Sequence, residues 1–281
     1  MEVKLAKCAG FCFGVKRAVD TVYEQTETGK TIYTYGPIVH NEEVVSELEQ
    51  KGAVVLEGEE ALGKLEQGSV IIRAHGVPEK IYRLLEQKNL ECIDATCPFV
   101  KKIHGIVEKA SGRGEQVVII GNPVHPEVEG IVGWCKGPVT VLETVEEAEN
   151  YVPPDGGKIC VVSQTTFNYN KFKDLVEIIS KKGYDILAVN TICNATATRQ
   201  KEAAELADSS DAMLVIGGRH SSNSRKLYEI CKNQCENTFF IQTVDDLRNI
   251  SLESFTSLGI TAGASTPNNI IQEVLEACQK I

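Results

Sequence analysis

A threefold internal repeat constrains this 281-residue chain more than any other feature. A cysteine, a glycine and a polar residue recur in the same order in each repeat: Cys12, Gly36 and His40, then Cys97, Gly121 and His125, then Cys193, Gly217 and Ser221. The spacing from cysteine to glycine to polar residue is the same in all three repeats. A period of about 90 residues predicts three similar modules that share one core arrangement.

Strand-like and helical segments alternate along the chain. TIYTYG, VVIIG and MLVIGG are short β-rich runs that end in glycine, whereas VVSELEQKG, FKDLVEIISKKG and NNIIQEVLEACQK carry apolar residues at helical spacing. Such alternation favours mainly parallel sheets covered by helices. We predict an α/β fold of three modules, residues 14–96, 97–192 and 193–281, with residues 1–13 packing on the third. The run from Pro153 to Gly157 predicts a surface turn.

A further polar cluster closes each repeat: Arg73-Ala74-His75, Ser163-Gln164-Thr165 and Gly263-Ala264-Ser265. These clusters and the recurring polar residues lie at predicted strand-to-helix junctions. Open α/β sheets bind ligands at this carboxyl edge. If the three modules face one axis, their junctions converge on one site.

Composition and charge exclude several classes of protein. The net charge of −10 argues against a surface for general nucleic-acid binding. No apolar run has the length of a membrane helix, and the N-terminal segment lacks the apolar core of a signal peptide. We therefore expect a cytoplasmic protein with no nucleic-acid or membrane partner. In that compartment the ten cysteines predict metal ligands or buried thiols rather than disulfides.

The three repeated cysteines are typical of ligands to one central cofactor. An iron–sulfur cluster is normally held by four thiolates, so three would leave one iron open to substrate. Buried structural cysteines are one alternative, and a zinc site is another, although structural zinc sites usually use closely spaced cysteine pairs. The shared register favours the cluster. Cys8 and Cys160, outside the repeat, fall in strand-like runs.

The polar positions are typical of an anion site. Imidazoles, hydroxyls and an amide at helix N-termini suit a phosphate or a diphosphate. The candidates are His40, His75, Ser221, Ser222, Asn223 and Ser265. Glu127, two residues after His125, is a candidate proton donor because burial raises the pKa of a carboxyl group. The alternative is a glutamate that only stabilises a helix N-terminus.

Together these motifs resemble one family, the 4-hydroxy-3-methylbut-2-enyl diphosphate reductases of the non-mevalonate isoprenoid pathway. The resemblance extends along the whole chain. It is carried by the segments CFGVKRAV, GPIVHN, AHGVP, DATCPFV, HPEVEG, SQTT, NTICNATATRQ, HSSNS and GASTP.

The resemblance implies a trefoil of the three modules around a [4Fe-4S] cluster held by Cys12, Cys97 and Cys193. It implies that the open iron binds the substrate hydroxyl, and that two electrons from ferredoxin or flavodoxin yield isopentenyl and dimethylallyl diphosphate. Glu127 would feed the proton through the diphosphate or His125, and Thr165 would orient the hydroxyl or a water. The residues implied to bind substrate are His40, His75, His125, Thr165, Ser221, Ser222, Asn223 and Ser265.

Two other functions use a cluster with an open iron. A redox sensor would need neither a phosphate site nor Glu127, and it would usually carry a nucleic-acid-binding module. A hydro-lyase would hold a carboxylate substrate with arginines, and none of the candidate substrate-binding residues is an arginine.

Overall fold

A computed structural model of the chain describes residues 1–154 and 157–281. Asp155 and Gly156, at the centre of the predicted turn, lie outside the described residues. The chain forms two compact units. Unit 1 comprises Met1–Lys16, Val39–Glu47 and Asn194–Ile281, and unit 2 comprises Arg17–Ile38 and Leu48–Cys193.

The secondary-structure elements are, in chain order, β1 (Glu2–Leu5), α1 (Phe13–Thr26), β2 (Ile32–Tyr35), α2 (Glu42–Gln50), β3 (Ala53–Leu56), α3 (Gly58–Gly63), β4 (Ser69–Ile72), α4 (Glu79–Gln87), β5 (Glu91–Asp94), α5 (Pro98–Gly112), β6 (Gln116–Ile120), α6 (Pro126–Val132), β7 (Val139–Leu142), α7 (Val145–Asn150), β8 (Ile159–Ser163), α8 (Tyr169–Ser180), β9 (Ile186–Ala188), α9 (Asn194–Asp208), β10 (Ala212–Ile216), α10 (Ser222–Gln234), β11 (Thr238–Ile241), a 3-10 helix (Val244–Asn249), β12 (Ser257–Ala262) and α11 (Asn268–Cys278).

The described strands form three parallel sheets of four strands each. Unit 1 contains the sheet β1-β12-β10-β11, and unit 2 contains β3-β2-β4-β5 and β7-β6-β8-β9. Every strand pair is parallel. The predicted α/β class with parallel sheets is confirmed, as are the three strand runs in β2, β6 and β10 and the three helical segments in α2, α8 and α11.

Nearly all residues of the inner strands of the sheets are buried. All residues of β4, β6 and β10 are buried, whereas edge strands β5 and β9 are partly exposed. Inner strands of a parallel sheet are covered on both faces, so an unbroken apolar run such as Val-Val-Ile-Ile in β6 is expected there. Full burial of each such side chain contributes about 1.5–3 kcal/mol.

The N-terminal strand β1 pairs with β12 from Glu2 opposite Ser257 to Leu5 opposite Ile260. The prediction that Cys8 lies in a strand is wrong. Ladder bonding ends where the Ala6 N–H donates to the Ile260 carbonyl, and the next N–H groups, those of Lys7 and Cys8, donate to a side chain instead. Cys8 therefore lies in the loop that leads to Cys12.

In the described ranges, no helix combines the length and the apolar character that a membrane crossing requires.

Candidate active site

The three repeated cysteines have the same local structure. The N–H of Cys12 donates to the Ala264 carbonyl at 3.2 Å, that of Cys97 to Ala74 at 3.0 Å, and that of Cys193 to Thr165 at 3.1 Å. Each thiol is partly accessible, and among the described residues none is in a disulfide.

Each of these cysteines immediately precedes a helix: Cys12 precedes α1, Cys97 precedes α5 and Cys193 precedes α9. Cys97 is the N-cap residue of α5, with Pro98 at the first helical position. The N-terminal end of a helix carries partial positive charge and stabilises an anion there. All three positions are therefore suited to a thiolate ligand.

The hydrogen bonds correct the alignment of the closing clusters by one residue in the second sequence repeat. The carbonyls that receive the cysteine N–H groups make Thr165 equivalent to Ala74 and Ala264. The residue that matches His75 and Ser265 is therefore Thr166, not Thr165. The reason is that Ser163, aligned by sequence with the start of the cluster, is the buried last residue of β8.

Helix caps give a second correction, in the first sequence repeat. His125 and Ser221 cap α6 and α10, where their Nδ1 and Oγ atoms accept the N–H groups of Glu127 and Ser224. At the start of α2 the equivalent acceptor is Asn41 Oδ1, which accepts the second and third N–H groups of that helix. His40 therefore lies one residue before the cap, because its loop is one residue longer.

In unit 2, the structure joins Glu127 and Thr165 in a buried acid–hydroxyl pair. The Thr165 N–H donates to Glu127 Oε1 at 2.6 Å, and the Thr165 hydroxyl donates to Oε2 at 2.7 Å. Glu127 is only 2% exposed. Burial raises the pKa of Glu127 to about 7, although both hydrogen bonds from Thr165 act to lower it. A carboxyl group with this pKa can donate and accept a proton near neutrality.

Two histidines of unit 2 are close to each other. The rings of His75 and His125 meet edge to face, with centroids 5.5 Å apart. His125 also accepts the N–H of Glu127, so this imidazole and the acid–hydroxyl pair belong to the same strand-end region. Unit 2 thus brings together His75, His125, Glu127 and Thr165, and the Cys193 N–H bonds directly to Thr165.

In unit 1, Asn223 has an unsatisfied buried amide. Its side chain is 5% exposed, and neither Nδ2 nor Oδ1 has a hydrogen-bond partner within residues 1–154 and 157–281. Burial of an amide without partners costs free energy, which a polar ligand would recover. Nearby in the chain, Ser221 caps the helix and Ser222 is its first residue.

Ser265 and His40, also in unit 1, are in direct contact. The Ser265 hydroxyl donates to the His40 carbonyl at 3.0 Å. The backbone of Gly218 lies so close to this loop that an added Cβ would be 2.7 Å from the His40 carbonyl oxygen. The loop that carries His40 is therefore in contact with the Ser265 side chain and the Gly218 backbone of the same unit.

Sequence reasoning missed Ser224. This fully buried serine donates its hydroxyl to Ser221 Oγ at 3.0 Å and its N–H to the same atom. A Cβ at Gly217 or Gly263 would lie within about 2.2 Å of its hydroxyl oxygen, so both glycines make room for it. The serine spacing at a helix start is the signal that could have found it.

Three equivalent cysteines and a buried acid–hydroxyl pair follow the carboxyl ends of parallel strands. These are the features of an α/β enzyme. The family model described as "LytB protein" matches residues 3–279. A reductase from Caldanaerobacter subterraneus subsp. tengcongensis is 46% identical, with 100% of this chain and 98% of the relative covered. One from Clostridioides difficile is 44% identical, with 98% of each chain covered. Both are named 4-hydroxy-3-methylbut-2-enyl diphosphate reductase.

Solved structures give the same result. The Plasmodium falciparum E-1-hydroxy-2-methyl-but-2-enyl-4-diphosphate reductase matches with a TM-score of 0.93 and 29% identity, over 98% of this chain and 87% of that chain. A structure of (E)-4-hydroxy-3-methyl-but-2-enyl diphosphate reductase, described as the terminal enzyme of the non-mevalonate pathway, matches over all of both chains, with a TM-score of 0.70 and 40% identity. The chain belongs to the LytB protein family. The expectation of an oxidoreductase of this family is confirmed.

Proposed function

We propose that the chain catalyses the reductive dehydroxylation of 4-hydroxy-3-methylbut-2-enyl diphosphate to isopentenyl and dimethylallyl diphosphate. The observation that carries this proposal is the buried Glu127–Thr165 pair, which is joined through the Thr165 carbonyl to Cys193. The pair supplies an acid beside Cys193, a candidate cofactor ligand. A hydroxyl group that leaves as water requires a proton from such an acid. Full-length relatives named for this reaction add support.

The cysteines fit an iron–sulfur cofactor by their chemistry and their position. Cys12, Cys97 and Cys193 would hold a [4Fe-4S] cluster, since all three offer sulfur at a helix N-terminus and share one backbone hydrogen-bond pattern. When bound, such a cluster supplies low-potential electrons and an iron that acts as a Lewis acid. The protein's own residues would then provide binding, orientation and the proton.

Glu127 would hold the proton, and Thr165 would position it. At neutral pH, burial keeps a large fraction of Glu127 protonated, because its pKa is about 7. A proton on Oε2 can be donated to the Thr165 hydroxyl, which lies 2.7 Å away. The Thr165 hydroxyl can then donate its own proton to the substrate oxygen or a water. His125, beside Glu127, could share this transfer with the diphosphate.

The proposed diphosphate ligands have hydrogen-bonding side chains at helix starts or strand ends. Asn223 supports the proposal most strongly, because its buried amide offers both a donor and an acceptor. Histidines can donate to phosphate oxygens, and the N–H groups at helix starts add positive potential. The residues are His40, His75, His125, Ser221, Ser222, Asn223 and Ser265, together with Thr165 on the hydroxyl side.

The proposal includes the three-module division at residues 14–96, 97–192 and 193–281. Its support is that each of the three sheets draws β2–β5, β6–β9 or β10–β12 from one module, with β1 added to the third. Ferredoxin or flavodoxin is the proposed electron donor. The cytoplasmic location stays a prediction.

Anaerobic purification followed by a dye-linked assay tests the function. With reduced viologen as the electron source, addition of 4-hydroxy-3-methylbut-2-enyl diphosphate should oxidise the dye and yield both products by mass spectrometry. Iron-loaded protein that oxidises no dye in the presence of substrate would contradict the proposal. A redox sensor would leave the substrate unchanged, and a hydro-lyase would consume it without dye.

A further inference from the structure

Within unit 1, the loop before Cys12 is held by an arginine of helix α9. Arg199, only 3% exposed, donates from Nε and Nη2 to the Cys8 carbonyl at 2.9 and 2.6 Å. Its Nη2 also donates to the Gly10 carbonyl at 2.7 Å. A guanidinium can make several such bonds at once because its donors form a rigid, planar fork.

One helical turn away, Glu202 holds the N–H groups of the same loop. Its two carboxylate oxygens accept the N–H groups of Lys7 at 2.8 Å and Cys8 at 2.9 Å. The Cys8 thiol donates to Oε2 at 2.5 Å. Residues three apart on a helix lie on one face. Arg199 therefore binds the carbonyl oxygens of the loop while Glu202 binds its N–H groups.

Gly10 allows the loop its tight course. Its φ of +94° lies in the region that favours glycine, and a Cβ there would be 3.0 Å from Ile271 Cδ1. Two residues later, the Cys12 N–H is fixed to the Ala264 carbonyl. The loop therefore has charged hydrogen-bonding partners before Cys12 and a backbone bond at Cys12 itself.

A comparable arrangement exists in unit 2 before Cys97. There Arg17 donates from Nη1 to the Thr96 carbonyl and from Nη2 to the Asp94 carbonyl, both at 3.1 Å. In both cases an arginine of a helix that follows one cysteine binds the carbonyls that precede another. Such an arrangement at two cysteines points to a role in placing the thiols.

We propose that Arg199, supported by Glu202, is a positioning residue that fixes the loop at residues 7–10 and so places the Cys12 thiol for the iron–sulfur cluster. The inference rests on the proposed function for the assignment of Cys12 as a ligand. Arg199 touches no reacting atom. It acts through the backbone of Cys8 and Gly10.

The test compares Arg199→Met with wild type and with Lys201→Met, a control on the exposed side of the same helix. The first measurement is the rate of iron release to a chelator from anaerobically purified full-length protein. The second is the rate at which iodoacetamide modifies each cysteine after iron removal, followed by mass spectrometry. Cys97 serves as the internal reference in each molecule.

Arg199→Met should accelerate both iron release and Cys12 modification by about tenfold or more, because charge-assisted hydrogen bonds to the loop are lost. Modification of Cys97 should not change, and Lys201→Met should behave as wild type. Arg199→Lys keeps the positive charge but loses the planar fork of donors, so its rates should lie between those of Arg199→Met and wild type. Equal Cys12 rates in Arg199→Met and wild type would overturn the proposal.

A general loss of structure would raise the rates at Cys12 and Cys97 together, which would also overturn a specific positioning role. If Arg199→Met gives no folded protein, Glu202→Gln provides the same comparison with the fold less disturbed. It should raise the Cys12 rate selectively and by a smaller factor, and an unchanged Cys12 rate would contradict the proposal. Wild-type protein that takes up no iron would count against the proposed function, while the modification rates would still test the loop.

Discussion

Glu127 and Asn223 occupy equivalent positions in the second and third sequence repeats and differ in how their polar atoms are satisfied. Each is the second residue of a helix, after the cap residues His125 and Ser221. Glu127 receives two hydrogen bonds from Thr165. The amide of Asn223 has no such partner in the described part of the chain, and the residue equivalent to Thr165 is Ala264, which has no hydroxyl.

The difference indicates that the equivalent positions of Glu127 and Asn223 have different roles. A carboxyl group that is buried and already bonded within the protein can store a proton at an unusual pKa. An unsatisfied buried amide costs about 1–3 kcal/mol, which a bound ligand can recover. We therefore expect substitutions of Glu127 to change turnover and substitutions of Asn223 to change substrate binding.

The largest expected effect comes from the cysteines that the three sequence repeats share. Cys12→Ser, Cys97→Ser and Cys193→Ser should each abolish activity and lose the visible absorbance of the cluster, since each removes one of three thiolates. Iron content and absorption spectra of anaerobically purified variants measure this. Cys160→Ser, a change in the buried core of β8, is the control. Full iron content in any of the three variants would remove that cysteine from the ligand set.

Glu127→Gln should lower kcat by roughly 100-fold or more, with KM little changed, because a general acid is removed while the shape of the pair with Thr165 is kept. Steady-state kinetics with reduced viologen measure both constants. Glu129→Gln, which alters an exposed carboxylate on the same helix, is the matched control. Near-normal kcat in Glu127→Gln would exclude it as the acid.

Asn223→Ala should act mainly on KM, which we expect to rise by about tenfold, the factor expected when one buried ligand hydrogen bond is lost. The same assay measures it. Asn237→Ala, at an exposed position of unit 1, is the control. A fall in kcat at unchanged KM would contradict the binding role and would make Asn223 resemble Glu127.

The remaining effect is on stability rather than on turnover or substrate binding. Folding raises the pKa of Glu127 from its ordinary value of 4.5 to about 7, so the folded state favours the protonated carboxyl. This contribution is fully present below pH 4.5 and is lost as the pH rises through about 7. The unfolding free energy of wild type should therefore fall relative to Glu127→Gln over this interval, by on the order of 3 kcal/mol. Urea unfolding at acidic and mildly alkaline pH measures it, and parallel curves would contradict the shift.

Much of the fold could be predicted from sequence, because it depends on short-range patterns. The buried apolar runs of β6 and β10 and the periodic residues of α8 are local signals of strands and helices. The cysteine spacing also predicted correctly that Cys12, Cys97 and Cys193 hold equivalent local positions at helix starts.

The details of the site depend on geometry that spacing does not encode. One extra loop residue makes Asn41 the helix cap instead of His40. Strand β8 extends through Ser163, so Thr166 is the match of His75. The raised pKa of Glu127 depends on long-range burial, so residue type could only suggest it. The contact of Arg199 with the Cys8 loop joins residues far apart in the chain and has no local signal.

The pH dependence of turnover tests most directly whether the buried Glu127–Thr165 pair supplies the proton. With substrate at saturation and reduced viologen as donor, kcat of wild type should fall as the pH rises through about 7, because Glu127 loses its proton there. The residual kcat of Glu127→Gln should lack this dependence. The same pH-dependent fall in both proteins would contradict the account.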